Sequence, residues 1–487
     1  MTVAAAFLAS AAPPLRHPHP PLSSSVATSS GGGVGRKHAE RLFFSLDSAA
    51  GDERRDAAAD RVVRKFLASS SNATALHTLS YLLSSSTTSS SSCTSPADHL
   101  ALPLYRRVAG APWFRWNSKL NAGVVPLLEK LGRPAEAEAL VSEAASSLKP
   151  RKLAAFYGEL VESYARHGSE EKVFEIQSHL RALHLGKGAY GSLIRALCLL
   201  GLPEEAEGMV EEMGNAGLRP SPFEYRLVAQ SYGRLGSLSE MRRVLDAMVA
   251  SRYEVDTVCA NMVISCYGDC GELPEMVEWL RKTRASGVPF SIRTYNSVLN
   301  SCPGLCSMLW TPEDVPLSLD ELMQHLEEGC RAPVEALLVQ ELVGSEVLAQ
   351  TLQWSAKEGK LDLHGCHLGS ALVVVLQWVD ELKGRLKGES APVEISIVCG
   401  LGKHSSVVGA SPVKKLVCEM MFRMESPLRI DRKNAGRLVA RGTAVRDWLG
   451  SGRSIGARQS SFVVGSIVKH YTHPDLHNFA SALEVFD

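Results

Sequence analysis

Apolar residues recur at three-to-four spacing over long stretches of the chain, the pattern of helices with one buried face. From Lys187 to about Asn300 these helices come in pairs on a fixed period. Tyr190, Tyr225 and Tyr295 keep a spacing of 35 residues, with Ala260 in the remaining slot, and Gly201, Gly236 and Gly271 keep the same interval. Around the first set the text reads AYGSLIRAL, EYRLVAQSY, CANMVISCY and TYNSVLNSC. After each glycine comes a mostly acidic helical segment: LPEEAEGMVEEM, SLSEMRRVLDAM, ELPEMVEWLRKT. A period of roughly 20–50 residues marks stacked units, because one helical pair cannot bury its apolar face alone. Each unit reads as helix, glycine turn, helix, then a short loop ending in GLRPS, YEVD or GVPFS. Two divergent units precede these, with turns at Gly132 and Gly168, and a truncated one starts at Ile292. The array spans 116–302, with five units and the truncated sixth.

On either side the pattern changes. Helical spacing over 46–115 is broken by a serine-rich loop, SSSTTSSSSCTSP at 84–96, which the composition predicts to be mobile. The following LALPLYRRVAGAPWFRWNSKL carries Arg106, Arg107 and Arg115 among aromatics. It reads as a nucleic-acid contact or, preferred here, as a helix closing the end of the array. Residues 303–355 form an acidic helical linker. From Leu361 the grammar becomes alternating strand and helix: LDLHG, then an amphipathic helix, then VEISIVCGLG with period-two alternation, a second helix and NAGRLVARG. That order predicts a small α/β domain over 356–450, followed by a tail, 451–487, with no usable period. The fold class is therefore an all-α helical-hairpin solenoid followed by a small α/β domain.

Composition adds compartment and charge. Residues 1–45 read as a transit peptide or disordered segment. The first 39 residues hold no Asp or Glu and are rich in Ala, Ser and Pro, with Arg16, Arg36 and Lys37 as the full positive charges. The serine and proline content favours chloroplast over mitochondrion. Net charge is zero, but nine acids face one basic residue between Asn300 and Gln350, and fifteen Lys or Arg face ten acids between Ala356 and Gly450. A basic face can sit inside such a neutral total. The eleven cysteines lack zinc-ligand spacing and read as buried thiols, and no run is long enough to span a membrane.

The repeat text, in TYNSVLNSC (294–302), CANMVISCYGDCGELPEM (259–276) and LPEEAEGMVEEMGNAGLRPS (202–221), resembles the pentatricopeptide repeat family. That resemblance implies that each unit reads one RNA base with the residue after the helix-one tyrosine and the last residue of the unit. Here the pairs are Gly191 with Ser221, Arg226 with Asp256, and Asn261 with Ser291, with Asn296 in the same slot of the truncated unit. The pair Asn261/Ser291 leans towards a pyrimidine. LDLHG (361–365) and CGLGKHS (399–405) resemble the small-MutS-related (SMR) domain, as it occurs in plant pentatricopeptide proteins, with Cys399 where that family has threonine.

Asp362 and His364, alternate residues on a strand, are expected to share a face and to act on a phosphodiester, through a divalent metal (Mg or Mn) if the domain is a nuclease. The loop of Gly400 and Gly402 suits a phosphate, with Lys403 and protonated His404 adding charge. The expected function is an organellar RNA-binding factor that takes single-stranded organellar RNA, with a protein partner for specificity. The competing class is a protein-interaction scaffold with incidental RNA contact.

Overall fold

The structure is a computed structural model that describes residues 32–49, 55–85, 95–183, 185–328, 333–388, 390–400 and 411–451. It divides into two compact units between Leu227 and Val228. The predicted transit segment up to residue 31, most of the serine-rich loop and the tail beyond residue 451 lie outside the described residues.

The first unit opens with four helices: α1 (Gly32–Ala49), α2 (Arg55–Ser69), α3 (Asn72–Ser85) and α4 (Pro96–Ala109). Helix α1 begins inside the stretch expected to be a leader, because Ala39, Leu42 and Leu46 give it a buried face at helical spacing. Three hairpins follow: α5 (Ser118–Lys130) with α6 (Pro134–Ser147), α7 (Pro150–Arg166) with α8 (Glu170–Ala182), and α9 (Lys187–Leu199) with α10 (Pro203–Asn215). Their first helices lie side by side, α5 on α7 on α9. Helix α11 (Pro222–Arg234) crosses the division, and α12 (Leu238–Ala250) completes its hairpin. The second unit continues with α13 (Thr257–Cys270), α14 (Leu273–Ala285) and the short α15 (Ile292–Asn300) and α16 (Pro303–Met308).

The turns explain the glycine period. Gly201, Gly236 and Gly271 have φ of 74°, 74° and 73°, a left-handed conformation that reverses the chain after helix one and that a Cβ disfavours. Gly217 and Gly287 close second helices the same way, and Arg252 holds the corresponding slot at φ 67°. Tyr190 and Tyr295 are buried with their hydroxyls satisfied: Tyr190 donates to Glu212 Oε1 at 3.1 Å and Tyr295 to the Leu342 carbonyl at 2.7 Å.

Beyond the hairpins come α17 (Leu319–Glu328), α18 (Val334–Val343) and α19 (Val347–Thr351). The sheet strands are β1 (Leu352–Trp354), β2 (Glu358–Asp362), β3 (Glu394–Val398), β4 (Arg429–Ile430) and β5 (Arg437–Arg441). They alternate with α20 (Leu368–Gly388), α21 (Pro412–Arg423) and α22 (Gly442–Gly450). Strand order is β1-β2-β3-β5-β4, with β2 and β3 parallel and joined through α20, and the other pairs antiparallel.

Two boundaries differ from the sequence expectation. The sheet starts at Leu352 rather than 356, because Leu352 to Trp354 pair with Leu361 to Gly359. The acidic stretch is packed rather than spacing: α18 lies against α14, where Glu341 takes Arg281 at 2.7 Å and Arg284 at 2.6 Å. Helix α15 packs on α13 on one side and on α20 on the other. The run Ala371 to Leu376, with Trp378, Val379 and Leu382, is buried, in keeping with the nearly all-apolar first half of this helix, whereas its second half carries charged residues. Among the described residues no helix is long and apolar enough to cross a membrane.

Candidate nucleic-acid interface

Strand β2 ends at Asp362, and the Leu363 N–H donates to the Val398 carbonyl at 2.9 Å, extending the parallel pairing by one residue. The chain then turns. His364 lies in that turn rather than on the strand, and Gly365 has φ +80°. Asp362 Oδ1 accepts from the His364 N–H at 3.1 Å and from its ring Nδ1 at 2.6 Å, while Lys360 Nζ stands 3.4 Å from Oδ2. The link between the two residues is thus a local turn and not a shared strand face. A carboxylate only accepts, so the proton sits on Nδ1 and Nε2 is left bare in the neutral ring. Burial pushes the Asp362 carboxyl up, but the bonds from the His364 amide and ring, with Lys360, outweigh it and hold the group below the usual value. The His364 side chain is 65% exposed.

Gly400, with φ +77°, follows the parallel neighbour β3. A Cβ built on it would lie 3.6 Å from His364 Cδ2 and Nε2, so the imidazole edge faces this glycine. The ends of two adjacent parallel strands thus bring a carboxylate-held histidine against an open backbone, a usual place for ligands in α/β sheets. Cys399 beside it is buried and its thiol is pushed up to about 12, so it stays protonated. Gly402, Lys403 and His404 lie outside the described residues.

Several basic residues of this domain are already paired. Arg437 reaches Glu358 at 2.5 Å and Glu394 at 2.7 Å, Lys383 reaches Asp380, and Arg385 reaches Glu381. The residues around Asp362 do not make a metal set: its Oδ1 is occupied by two N–H donors and its Oδ2 faces an ammonium. Among the described residues no cluster of three or more His, Cys, Asp or Glu is placed to hold a cation.

The residues expected to form reading pairs have structural jobs. Ser221 donates through its N–H to Glu224 Oε2 at 2.7 Å, and its hydroxyl bonds the same oxygen. Gly191 is buried, with Glu224 Oε1 at 3.7 Å from where a Cβ would stand. Arg226 is half-buried on α11 in the first unit. In the second unit Asp256 is the N-cap of α13, accepting from the Cys259 N–H at 2.8 Å. Ser291 caps α15 and shares a capping box with Thr294. Asn261, 7% exposed, accepts from the Thr294 hydroxyl at 2.8 Å through its carbonyl, and no partner among the described residues engages its NH2.

Asn296 is engaged at both ends of its amide, with Gly365 at 2.7 Å and His367 at 2.9 Å. Asn300 and His367, 2.7 Å apart, also join the last repeat helix to this turn, and nothing in the sequence marked them. In the first unit Arg107 meets Asp60 at 2.8 Å, Arg106 meets Glu136 at 3.1 Å, and Arg115 donates to the Pro112 and Phe114 carbonyls.

Paired helices turned at left-handed glycines and stacked first helix on first helix define a helical-hairpin repeat protein. Residues 188–218 and 258–288 match the family model described as PPR repeat. A pentatricopeptide repeat-containing protein of Arabidopsis thaliana is 44% identical over 426 residues, covering 85% of this chain and 82% of that protein. The chain belongs to the pentatricopeptide repeat family. A rice (Oryza sativa subsp. japonica) pentatricopeptide repeat-containing protein, ATP4 homolog, chloroplastic, is 26% identical over 284 residues, 55% of this chain and 40% of that one. The crystal structure of pentatricopeptide repeat protein PPR10 from maize aligns over 73% of this chain and 51% of that chain, at 17% identity and a TM-score of 0.36. The chain thus spans about half the length of that structure.

Proposed function

We propose that this protein is an organellar RNA-binding factor whose repeats take single-stranded RNA and whose C-terminal α/β domain, of the SMR type, engages the phosphodiester backbone at His364 and Gly400. The observation that carries the reading is the Asp362-held imidazole with Nε2 turned towards Gly400. Gly400, left-handed and without a Cβ, leaves room for a phosphate oxygen beside the ring, and a bare Nε2 suits a hydroxyl proton. Asp362 fixes the ring, and His364 takes the proton of the attacking hydroxyl as its oxygen bonds phosphorus and the P–O bond to the leaving oxygen breaks, that oxygen being protonated from water. Asn261 with Ser291 presents the amide and hydroxyl chemistry that reads a base edge. The leader composition and the rice relative named chloroplastic favour the chloroplast, where the protein would act in processing, stability or translation of a transcript.

The test uses purified full-length chain and organellar RNA. Affinity should fall steeply with salt, as counterion release requires. His364→Ala and Asp362→Ala should lower strand cleavage by about 10²-fold or more, as expected for loss of a general base and its holder, while leaving affinity within about twofold. Cleavage that survives both substitutions removes the catalytic half of the reading. Salt-insensitive or absent RNA affinity removes all of it and leaves the scaffold function.

A further inference from the structure

Asn296 stands in the slot that Asn261 occupies one period earlier, yet its amide is spent inside the protein. Its Nδ2 donates to the Gly365 carbonyl at 2.7 Å and its Oδ1 accepts from the His367 N–H at 2.9 Å. A carbonyl can only accept and an N–H can only donate, so the orientation of the amide is dictated by its partners. One helical turn further, Asn300 Nδ2 donates to His367 Nδ1 at 2.7 Å. Gly369, at the start of α20, lies flat against Leu299 and Leu305: a Cβ there would be 3.2 Å from each. The turn that carries His364 is therefore held from two sides. On its N-terminal side Leu363 is pinned to Val398 by β-pairing, and on its C-terminal side Gly365 and His367 are pinned by α15.

We propose that Asn296 is a positioning residue for the His364 site and not a base reader. It closes the last repeat onto the turn so that His364 keeps the Nδ1–H tautomer and aims Nε2 at Gly400. The inference rests on the assignment of the Asp362–His364 turn as the functional site made above. It goes further in making the last repeat helix part of that site. The slot that reads RNA in a regular unit is here turned to an intramolecular target with the same chemistry, a paired donor and acceptor.

The experiment compares full-length wild type with Asn296→Ala. It reads the imidazole ¹⁵N spectrum of His364, assigned by loss of the signal in His364→Gln, together with amide hydrogen exchange over 364–367 and affinity for single-stranded RNA. Neither of the first two readouts needs RNA or cleavage. In wild type the two ring nitrogens should show one tautomer, with Nδ1 protonated in the neutral ring. In Asn296→Ala the two should average, exchange should quicken by about tenfold, as expected for loss of two modest hydrogen bonds, and affinity should stay within about twofold. A merely structural role would lower stability without moving the tautomer. Should the alanine variant not fold, Asn296→Asp retains the acceptor for His367 and sets a carboxylate against the Gly365 carbonyl, and Asn300→Ala loses only the His367 contact. Both should shift the His364 signature in the same direction. An unchanged tautomer and exchange rate in any folded variant overturns the proposal, as does a loss of RNA affinity with the signature intact. A wild-type chain that binds but never cleaves RNA leaves it standing, and an unchanged signature in a variant that still cleaves refutes it alone.

Discussion

At the scale of single residues, ionisation and backbone angle give the sharpest expectations. His367 is half-buried between α15 and the turn, and burial holds its pKa below the usual 6.5. Such a base binds fewer protons folded than unfolded over the window between its folded value and 6.5. Its contribution is full above 6.5 and is lost as pH falls through the folded value. Urea unfolding from about pH 7 to about pH 5 should therefore show a steeper loss of stability in wild type than in His367→Gln. His167, the C-cap of α7, shifts the same way and supplies a background common to both proteins. A second expectation concerns Arg252, whose φ of 67° sits where Gly217 and Gly287 have 72° and 74°. A left-handed residue with a Cβ costs roughly 1 kcal/mol, partly offset by the flexibility of glycine in the unfolded chain. Arg252→Gly should raise unfolding free energy by about 0.5 kcal/mol, read from a denaturant midpoint with unchanged slope.

At the scale of elements, the helix caps carry two roles that mutation can separate. Ser291 accepts from the Thr294 N–H at 3.3 Å as the N-cap of α15. Ser291→Ala should cost about 1 kcal/mol of stability whatever the RNA does. Asn261→Ala caps nothing and should reduce RNA affinity by a few-fold, the worth of a modest hydrogen bond, with a smaller effect on melting. Filter binding and thermal unfolding on the same two variants would tell the roles apart.

The glycine turns and the strand–helix alternation after Leu361 were legible in sequence because both depend on short-range patterns: a left-handed glycine every 35 residues, and VEISIV with period two. The clamp by Asn296 was not legible. Its partners lie 69 and 71 residues away, and in sequence the slot holds an asparagine just as the preceding unit does. The alternation of LDLHG reads as a strand through His364, but the chain turns at His364 and Gly365, the latter at φ +80°, and the strand ends at Asp362.

At the scale of the whole molecule, α20 packs on α15, α17, α18 and α19 as well as on α21 and α22 of the α/β domain, so its apolar surface depends on both groups. Trp378 is among the largest fully buried side chains, and Trp378→Ala should cost about 3–5 kcal/mol, as a large cavity in a packed core does. A fragment starting at residue 356 lacks α15, α18 and β1, and would expose the face of α20 that meets the last repeat. It should bind a hydrophobic dye and unfold without a cooperative transition, whereas one starting at residue 216 should unfold in a single step. Matching unfolding curves for the two fragments would contradict the packing described above.

The pairing of α15 with α20 also bears on how such a chain can be recombined. Repeat proteins invite the exchange of reading modules by cutting between units, and the point where the 35-residue period dissolves looks like the natural seam. Here that seam runs through a packed interface. A chimera joined at residue 303 would keep the sheet but strip it of Asn296, Leu299 and Asn300, whereas a junction in the loop at 216–221 would carry the α/β domain together with the repeats it is built on.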